Sequence, residues 1–390
     1  MISWPEPRER GAIGRLPALD GLRGIAAVIV VLYHSSLVAR PFIETRTVGD
    51  AWWWITQTPL KILFAGTESV LVFFVLSGLV VALPTLTRGF SWVQFLSARF
   101  LRLYLPVWGA LVLATALVLF IPRSLSAVTE GAWIDNGSAR SVTWAQFLSE
   151  ASLWRVSYDI DNVLWSLRWE IIFSILLPVF VGLALLVKRW WPAAVAIACA
   201  LTVTGRIVEV DALVYLPVFF LGNLMAVWLP ELLASLERVS RTSWVAITVV
   251  SGALMIASWP LRPVLPSGSL GNSIVWGLAG IGAAGMILVA LGSDRARSAL
   301  SSRPVRWLGT ISFSLYLVHV PVIQTFTYLF GDDRWYLTLA VAIPVSFIVA
   351  QAFFAVVERP SHRMARAVGA RLSSATTARV SPTEPSLRDR

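Results

Sequence analysis

Hydrophobic positions in this chain come in long unbroken runs, and the polar residues inside them are few enough to name. Stretches near the roughly 17 to 25 residues that cross about 30 Å of hydrocarbon lie near 16–38, 61–83, 103–121, 164–187, 190–208, 212–229, 243–261, 273–292, 307–330 and 335–357. The pattern predicts an all-α integral membrane protein with about ten transmembrane helices. Residues 1–15 read as a cytoplasmic N-terminal segment, 16–360 as the transmembrane domain, and 361–390 as a basic cytoplasmic tail without stable structure beyond its first turn or two.

The first run, LPALDGLRGIAAVIVVLYHSSL, carries Arg23 and His34. Eleven helical residues turn through about 1100°, so the two side chains share one face about 16 Å apart along the axis. A charged group near mid-bilayer costs on the order of 2.5 to 3.5 kcal/mol, which turns it toward a bundle interior or a wet cavity. The plainer alternative has Arg23 snorkelling to the interface and His34 bonding a neighbouring helix.

Two later runs carry matching polar stripes. The fourth begins LWSLRWE, which sets Glu170 about 9 Å in from Leu164 and puts Ser166 on the same face, with Trp165 and Trp169 beside them. In the ninth, LGTISFSLYLVHVP, the spacing of Ser312, Tyr316 and His319 forms a third stripe. Depth counted from the helix ends predicts that His34, Glu170 and His319 meet in the outer half of the membrane, while Arg23, Arg99 and Arg102 stay on the cytoplasmic side. A carboxylate beside an imidazole orients or charges the ring and supplies a general base or nucleophile. Clustered arginines suit a phosphate or pyrophosphate. The expectation is a phosphorylated donor entering from inside and a reaction near the outer leaflet, with Glu170 holding the tautomer of His34.

Composition sharpens this picture. The chain has 390 residues, 57% hydrophobic and 14% charged, with a mean hydropathy of +0.72, outside the range of soluble domains. The net charge of +10 points to topology rather than nucleic acid: with the N-terminus inside, about 21 basic residues fall on cytoplasmic segments against about nine outside, so both termini read as cytoplasmic. Cys199 is the only cysteine and His34, His319 and His362 the only histidines, so no intrachain disulfide and no metal site are expected. The N-terminus has no removable signal peptide pattern. The external loop, about 122–163, carries Glu130, Asp135, Glu150, Asp159 and Asp161 with Trp133, Trp144 and Trp154, aromatics suited to stacking on a sugar or to anchoring at the interface. The basic tail suits contact with anionic lipid. No internal repeat is visible, which weighs against a transporter.

DGLRGIAAVIVVLYH, FFVLSG at Phe73 to Gly78, RFLR at Arg99 to Arg102, WSLRWE at Trp165 to Glu170, SFSLYLVH at Ser312 to His319 and the closing ERP at Glu358 to Pro360 resemble, in order, the motifs of the acyltransferase 3 family over about residues 15 to 362. The resemblance implies a multipass enzyme of the bacterial cytoplasmic membrane. Such an enzyme moves an acyl group, commonly acetyl, from cytoplasmic acyl-coenzyme A to a hydroxyl on an extracytoplasmic carbohydrate, cell-wall glycan or secondary metabolite. It implies His34 as catalytic histidine with Arg23 and Glu170 beside it, and Arg99 and Arg102 as contacts to coenzyme A. Ser77 and Gly78 match a small-residue motif on the second span. Trp165, Ser166, Ser77, Gly78, Ser312, Tyr316 and His319 are the residues assigned to substrate. Phe313 stands where the family often has Tyr. Many members carry a fused extracytoplasmic esterase-like domain, and none follows the membrane unit here, so acceptor choice falls to the loops or to a separate extracytoplasmic partner. Direct transfer and a covalent acyl-enzyme both fit these residues. The alternative from another class is a carrier of an anionic metabolite gated by Arg23 and Glu170.

Overall fold

The structure, a computed structural model, describes residues 16–45, 47–87, 89–154 and 158–380. The N-terminal segment 1–15, the tail 381–390 and the basic residues Arg8, Arg10, Arg15, Arg46, Arg88, Arg155, Arg388 and Arg390 used to assign sidedness lie outside the described residues. Among the described residues the architecture is helical and contains no β-strand. The principal helices are α1 (Pro17–Ile43), α2 (Gly66–Ala82), α3 (Trp92–Phe120), α4 (Leu164–Leu186), α5 (Trp191–Ile207), α6 (Asp211–Val227), α7 (Arg241–Ile256), α8 (Ala279–Gly292), α9 (Arg303–Phe330), α10 (Trp335–Phe353) and α11 (Arg359–Val380).

Eight helical spans among these residues are long and apolar enough to cross a membrane, and nine if α6 is joined to Leu229–Leu236 across a 75° bend. Helix α7 is apolar but has only 16 residues. The protein is a multipass membrane protein. Span ends drift from the hydropathy runs where local chemistry overrides them. Helix α3 starts at Trp92, not near 103, because Ser91 caps it by accepting from the Gln94 amide and Arg99 finds partners inside the bundle. Downstream of α10 a five-residue π-turn, Phe354–Glu358, leads into α11. The expected loss of order after the first turn or two of the tail gives way to a helix reaching Val380, which packs along the N-terminal half of α3.

The centre of the bundle is the parallel pair α1 and α9. Small residues set its closeness: a Cβ at Gly24 would run into the Leu308–Gly309 backbone, and one at Gly309 into the carbonyl of Asp20. This register lines Arg23 up with Ser312 and His34 with His319. A second tight crossing joins α2 to α6, where Gly78 lies on the Phe219 carbonyl and Gly222 on that of Val75. The described part of the long loop between α3 and α4 lies over the C-terminal ends of α1 and α9 and is tied down rather than free. Arg123 donates to the Ala139 carbonyl at 2.7 Å, Gln324 of α9 donates to the Gly137 carbonyl at 3.0 Å, and the Ser138 and Tyr328 hydroxyls meet at 2.8 Å.

Candidate active site

The α1–α9 register brings two imidazoles together. His34 Nδ1 lies 3.0 Å from His319 Nε2, and both rings are buried. The other nitrogen of His319, Nδ1, lies 2.9 Å from the Leu315 carbonyl. A carbonyl only accepts, so His319 Nδ1 carries a proton, and in the neutral ring its Nε2 holds a lone pair. That lone pair accepts the Nδ1 proton of His34. The remaining nitrogen, His34 Nε2, is left with its lone pair free. Chained in this way, two histidines and one backbone carbonyl fix the tautomer of His34. Trp133 from the loop between α3 and α4 stacks on His34 with ring centroids 5.1 Å apart and planes at 25°, covering one face of the imidazole.

This corrects the sequence expectation for Glu170. Its carboxylate does not orient His34: it accepts from the Arg99 guanidinium and, at 2.5 Å, from the Ser77 hydroxyl. Arg99 also donates to Ser77 at 3.1 Å and to Ser174 at 2.6 Å. Counting depth from helix ends set Arg99 at the membrane edge, but α3 is 29 residues long, about 43 Å, and carries Arg99 inward to meet Glu170. The result is a part-buried ion pair joining α2, α3 and α4, with side chains 16% and 14% exposed.

The other assigned residues are spread along the bundle. Arg23 donates through Nε to Ser312 at 3.0 Å and through Nη2 to the Gly309 carbonyl at 3.3 Å, with Asp20 at 3.5 Å; its partly open side chain lies about 16 Å below His34. Ser166 and Tyr316 share a hydrogen bond of 2.7 Å between those levels. Trp165 packs on Tyr215 with centroids 5.2 Å apart, and Gly78 serves the α2–α6 crossing. Arg102 is exposed, in electrostatic reach of Arg23, Arg99, Glu358 and Arg366. The structure thus joins His34 to His319, Arg23 to Ser312, Ser166 to Tyr316, and Arg99 to Glu170 and Ser77.

Three features escaped the sequence reading. Glu358 is buried and accepts from both the Ser314 amide at 3.1 Å and its hydroxyl at 2.5 Å, so the π-turn before it aims a carboxylate into α9. Next to α1, Lys61 and Glu68 are each 1% exposed and 3.8 Å apart, with Lys61 over the Trp259 ring at 4.2 Å; burial pushes the Lys61 ammonium down. Lys61 precedes a hydropathy run and reads from sequence as an exposed flanking charge. In the loop, Glu150 accepts from the amides of Asp159 and Ile160 at 3.0 Å and Asp161 at 3.3 Å. The Asp161 carboxyl beside it is fully buried, and neither oxygen has a hydrogen-bond partner. Burial and the Glu150 charge hold it well above the usual carboxylate range. Among the described residues no group of three or more His, Cys, Asp or Glu side chains is arranged to hold a metal ion.

The multipass helical bundle thus encloses an ordered histidine pair, with Arg23 on the same α1–α9 seam. A family model described as an acyltransferase domain, Acyl_transf_3, matches residues 16–355. The chain belongs to the acyltransferase 3 family. It is 27% identical to the peptidoglycan O-acetyltransferase OatA of Listeria monocytogenes serovar 1/2a over 88% of this chain and 55% of that protein, so it spans little more than half of that relative. It is 28% identical to the acyltransferase MdmB of Streptomyces mycarofaciens over 90% of this chain and 92% of that protein. No solved structure matches the chain significantly.

Proposed function

We propose that the protein is a membrane O-acyltransferase. It takes an acyl group, acetyl in the simplest case, from acyl-coenzyme A on the cytoplasmic side and passes it to a hydroxyl of an extracytoplasmic carbohydrate, cell-wall glycan or secondary metabolite. The observation that carries this reading is the hydrogen-bonded chain from the Leu315 carbonyl through His319 to His34, because it leaves His34 Nε2 as an unprotonated base in a dry site. The similarity to a peptidoglycan O-acetyltransferase of Listeria favours a glycan among these acceptors.

In this mechanism His34 Nε2 takes the acceptor hydroxyl proton as the oxygen attacks the thioester carbonyl carbon. The tetrahedral oxyanion collapses, the carbon–sulfur bond breaks, and the thiolate leaves with the proton returned from His34. His319 holds the ring throughout, its Nε2 accepting the hydrogen bond from His34 Nδ1, which strengthens as the imidazolium forms. Arg23, with Arg99 and Arg102 on the same side, receives the phosphates of the donor, whose flexible arm covers the roughly 16 Å up to His34. Transfer from a donor on one side to an acceptor on the other needs a continuous path, and this reading runs it along the α1–α9 seam from Arg23 to His34.

The same reading fixes topology. Counting bent α6 and short α7 with the eight long spans gives ten crossings, with both termini in the cytoplasm and the Trp133 loop outside, in a bacterial cytoplasmic membrane. The test uses inside-out vesicles containing the purified protein, labelled acetyl-coenzyme A outside and cell-envelope extract as acceptor. Label bonded to a glycan or another hydroxyl acceptor supports the transferase. Label that enters the lumen unchanged overturns it in favour of a carrier.

A further inference from the structure

Helix α11 lies beyond the residues matched by the family model, yet it is packed against the arginine-bearing end of α3. The register is antiparallel and well defined. Gly109 of α3 lies against Phe353 and Val357, and a Cβ at Gly369 of α11 would meet Gln94 Cγ at 3.3 Å and Ala98 Cβ at 3.7 Å. Between these two contacts Arg102 comes opposite His362, and Arg99 comes level with Arg366. The charges agree with that geometry: Arg102 faces Arg23, Arg99, Glu358 and Arg366, and His362 faces Arg23, Arg102 and Arg366. Glu358 anchors the start of α11 through Ser314 and lies 3.9 Å from His362.

Three separate helices, α1, α3 and α11, thus turn basic side chains toward one place. Arg102 and Arg366 are both exposed there and His362 partly so. Two of the contributing elements also project. The continuous helix Trp335–Gly369 has 35 residues, about 52 Å, and α3 is about 43 Å, so both exceed a hydrocarbon core of about 30 Å. Convergent arginines fit an anion with several phosphates better than a single carboxylate.

We propose that α11 forms the third wall of the donor site, with Arg366 and His362 joining Arg102 to hold the phosphate-bearing nucleotide end of the donor. The inference rests on the acyl-coenzyme A reading above and adds to it residues outside the matched domain. Arg363 provides an internal control: it is exposed and one residue from His362, yet it is absent from the charges that face that ring.

The test measures binding of coenzyme A and of 4′-phosphopantetheine, which lacks the nucleotide, to the full chain in nanodiscs of neutral phosphatidylcholine. Arg366→Gln weakens coenzyme A about tenfold, as expected for loss of a charge-assisted hydrogen bond, and leaves phosphopantetheine unchanged. Arg366→Lys recovers most of the affinity, and Arg363→Gln, with the same change in net charge, has no effect. Equal coenzyme A affinity in wild type and Arg366→Gln overturns this inference while leaving the donor reading intact. A wild-type protein that binds neither ligand overturns both. An Arg366 dependence found only in phosphatidylglycerol discs, as tighter lipid retention, assigns the cluster to anionic headgroups and overturns the nucleotide assignment.

Discussion

His34 Nδ1 donates to His319 Nε2 across 3.0 Å, and His319 in turn donates from Nδ1 to the Leu315 carbonyl at 2.9 Å. An imidazole therefore performs the orienting task that a carboxylate performs in many base-assisted sites. In its neutral form His319 orients the ring without placing a charge beside His34 in an apolar bundle.

His319 is on this account a positioning residue, and its substitutions separate that role from packing. His319→Ala lowers turnover by on the order of 10²-fold, part of the 10²- to 10⁴-fold that a positioned base contributes. His319→Gln, whose amide oxygen accepts from His34 Nδ1, recovers much of the rate with unchanged donor affinity. Equal loss in the two variants, measured by acyl transfer at saturating donor, removes the orienting role.

The ion pair of Arg99 and Glu170 predicts strong coupling. Glu170→Ala leaves Arg99 without its counter-charge among Ser77 and Ser174, and for a part-buried pair the loss approaches the roughly 3 kcal/mol of a fully buried one. The double variant Arg99→Met with Glu170→Leu recovers most of that loss. Thermal unfolding of the four proteins checks this, and additive losses would show that the two side chains act independently.

Much of this arrangement was legible in the sequence, and the part that was not has a physical cause. Helical periodicity placed Arg23 and His34 on one stripe of α1, and Ser312, Tyr316 and His319 on one stripe of α9; both stripes meet as a pair. Depth reckoned from helix ends failed for Glu170, because depth says nothing of which way a side chain faces, and because α3 runs about 43 Å and brings Arg99 inward. Helix α11 was missed since hydropathy registers burial in lipid, whereas α11 is held by packing on α3 and by Glu358 on Ser314. The buried Lys61 and Glu68 pair escaped because a charge flanking an apolar run reads as an interfacial one.

Asp161 predicts an unusual pH dependence. Its folded pKa is raised, so the native protein keeps a proton that the unfolded chain releases near pH 4. The stabilisation is complete below about pH 4 and is lost as pH rises through the folded value, by about 1.4 kcal/mol per pH unit inside that window. Asp161→Asn, neutral at every pH, unfolds at a higher temperature than wild type at pH 8, and the gap narrows toward pH 4. A gap independent of pH would show that Asp161 is ionised in the folded loop.

The α2–α6 crossing predicts a sharp contrast between two glycines. A Cβ at Gly78 meets the Phe219 carbonyl, backbone that does not yield, while one at Gly182 meets nothing within 4 Å. Gly78→Ala is expected to cost about 1 to 3 kcal/mol through overpacking, and Gly182→Ala to be neutral or slightly stabilising through helix propensity. Unfolding temperatures in detergent check both, and equal values would refute the close crossing.

The central claim is that His34 Nε2 is the base for acyl transfer, and single-turnover transfer from labelled acetyl-coenzyme A by His34→Ala tests it most directly. Measured beside wild type with donor binding monitored in the same preparation, the variant is predicted to bind coenzyme A with unchanged affinity and to transfer label on the order of 10²- to 10⁴-fold more slowly. Transfer at the wild-type rate would contradict the account.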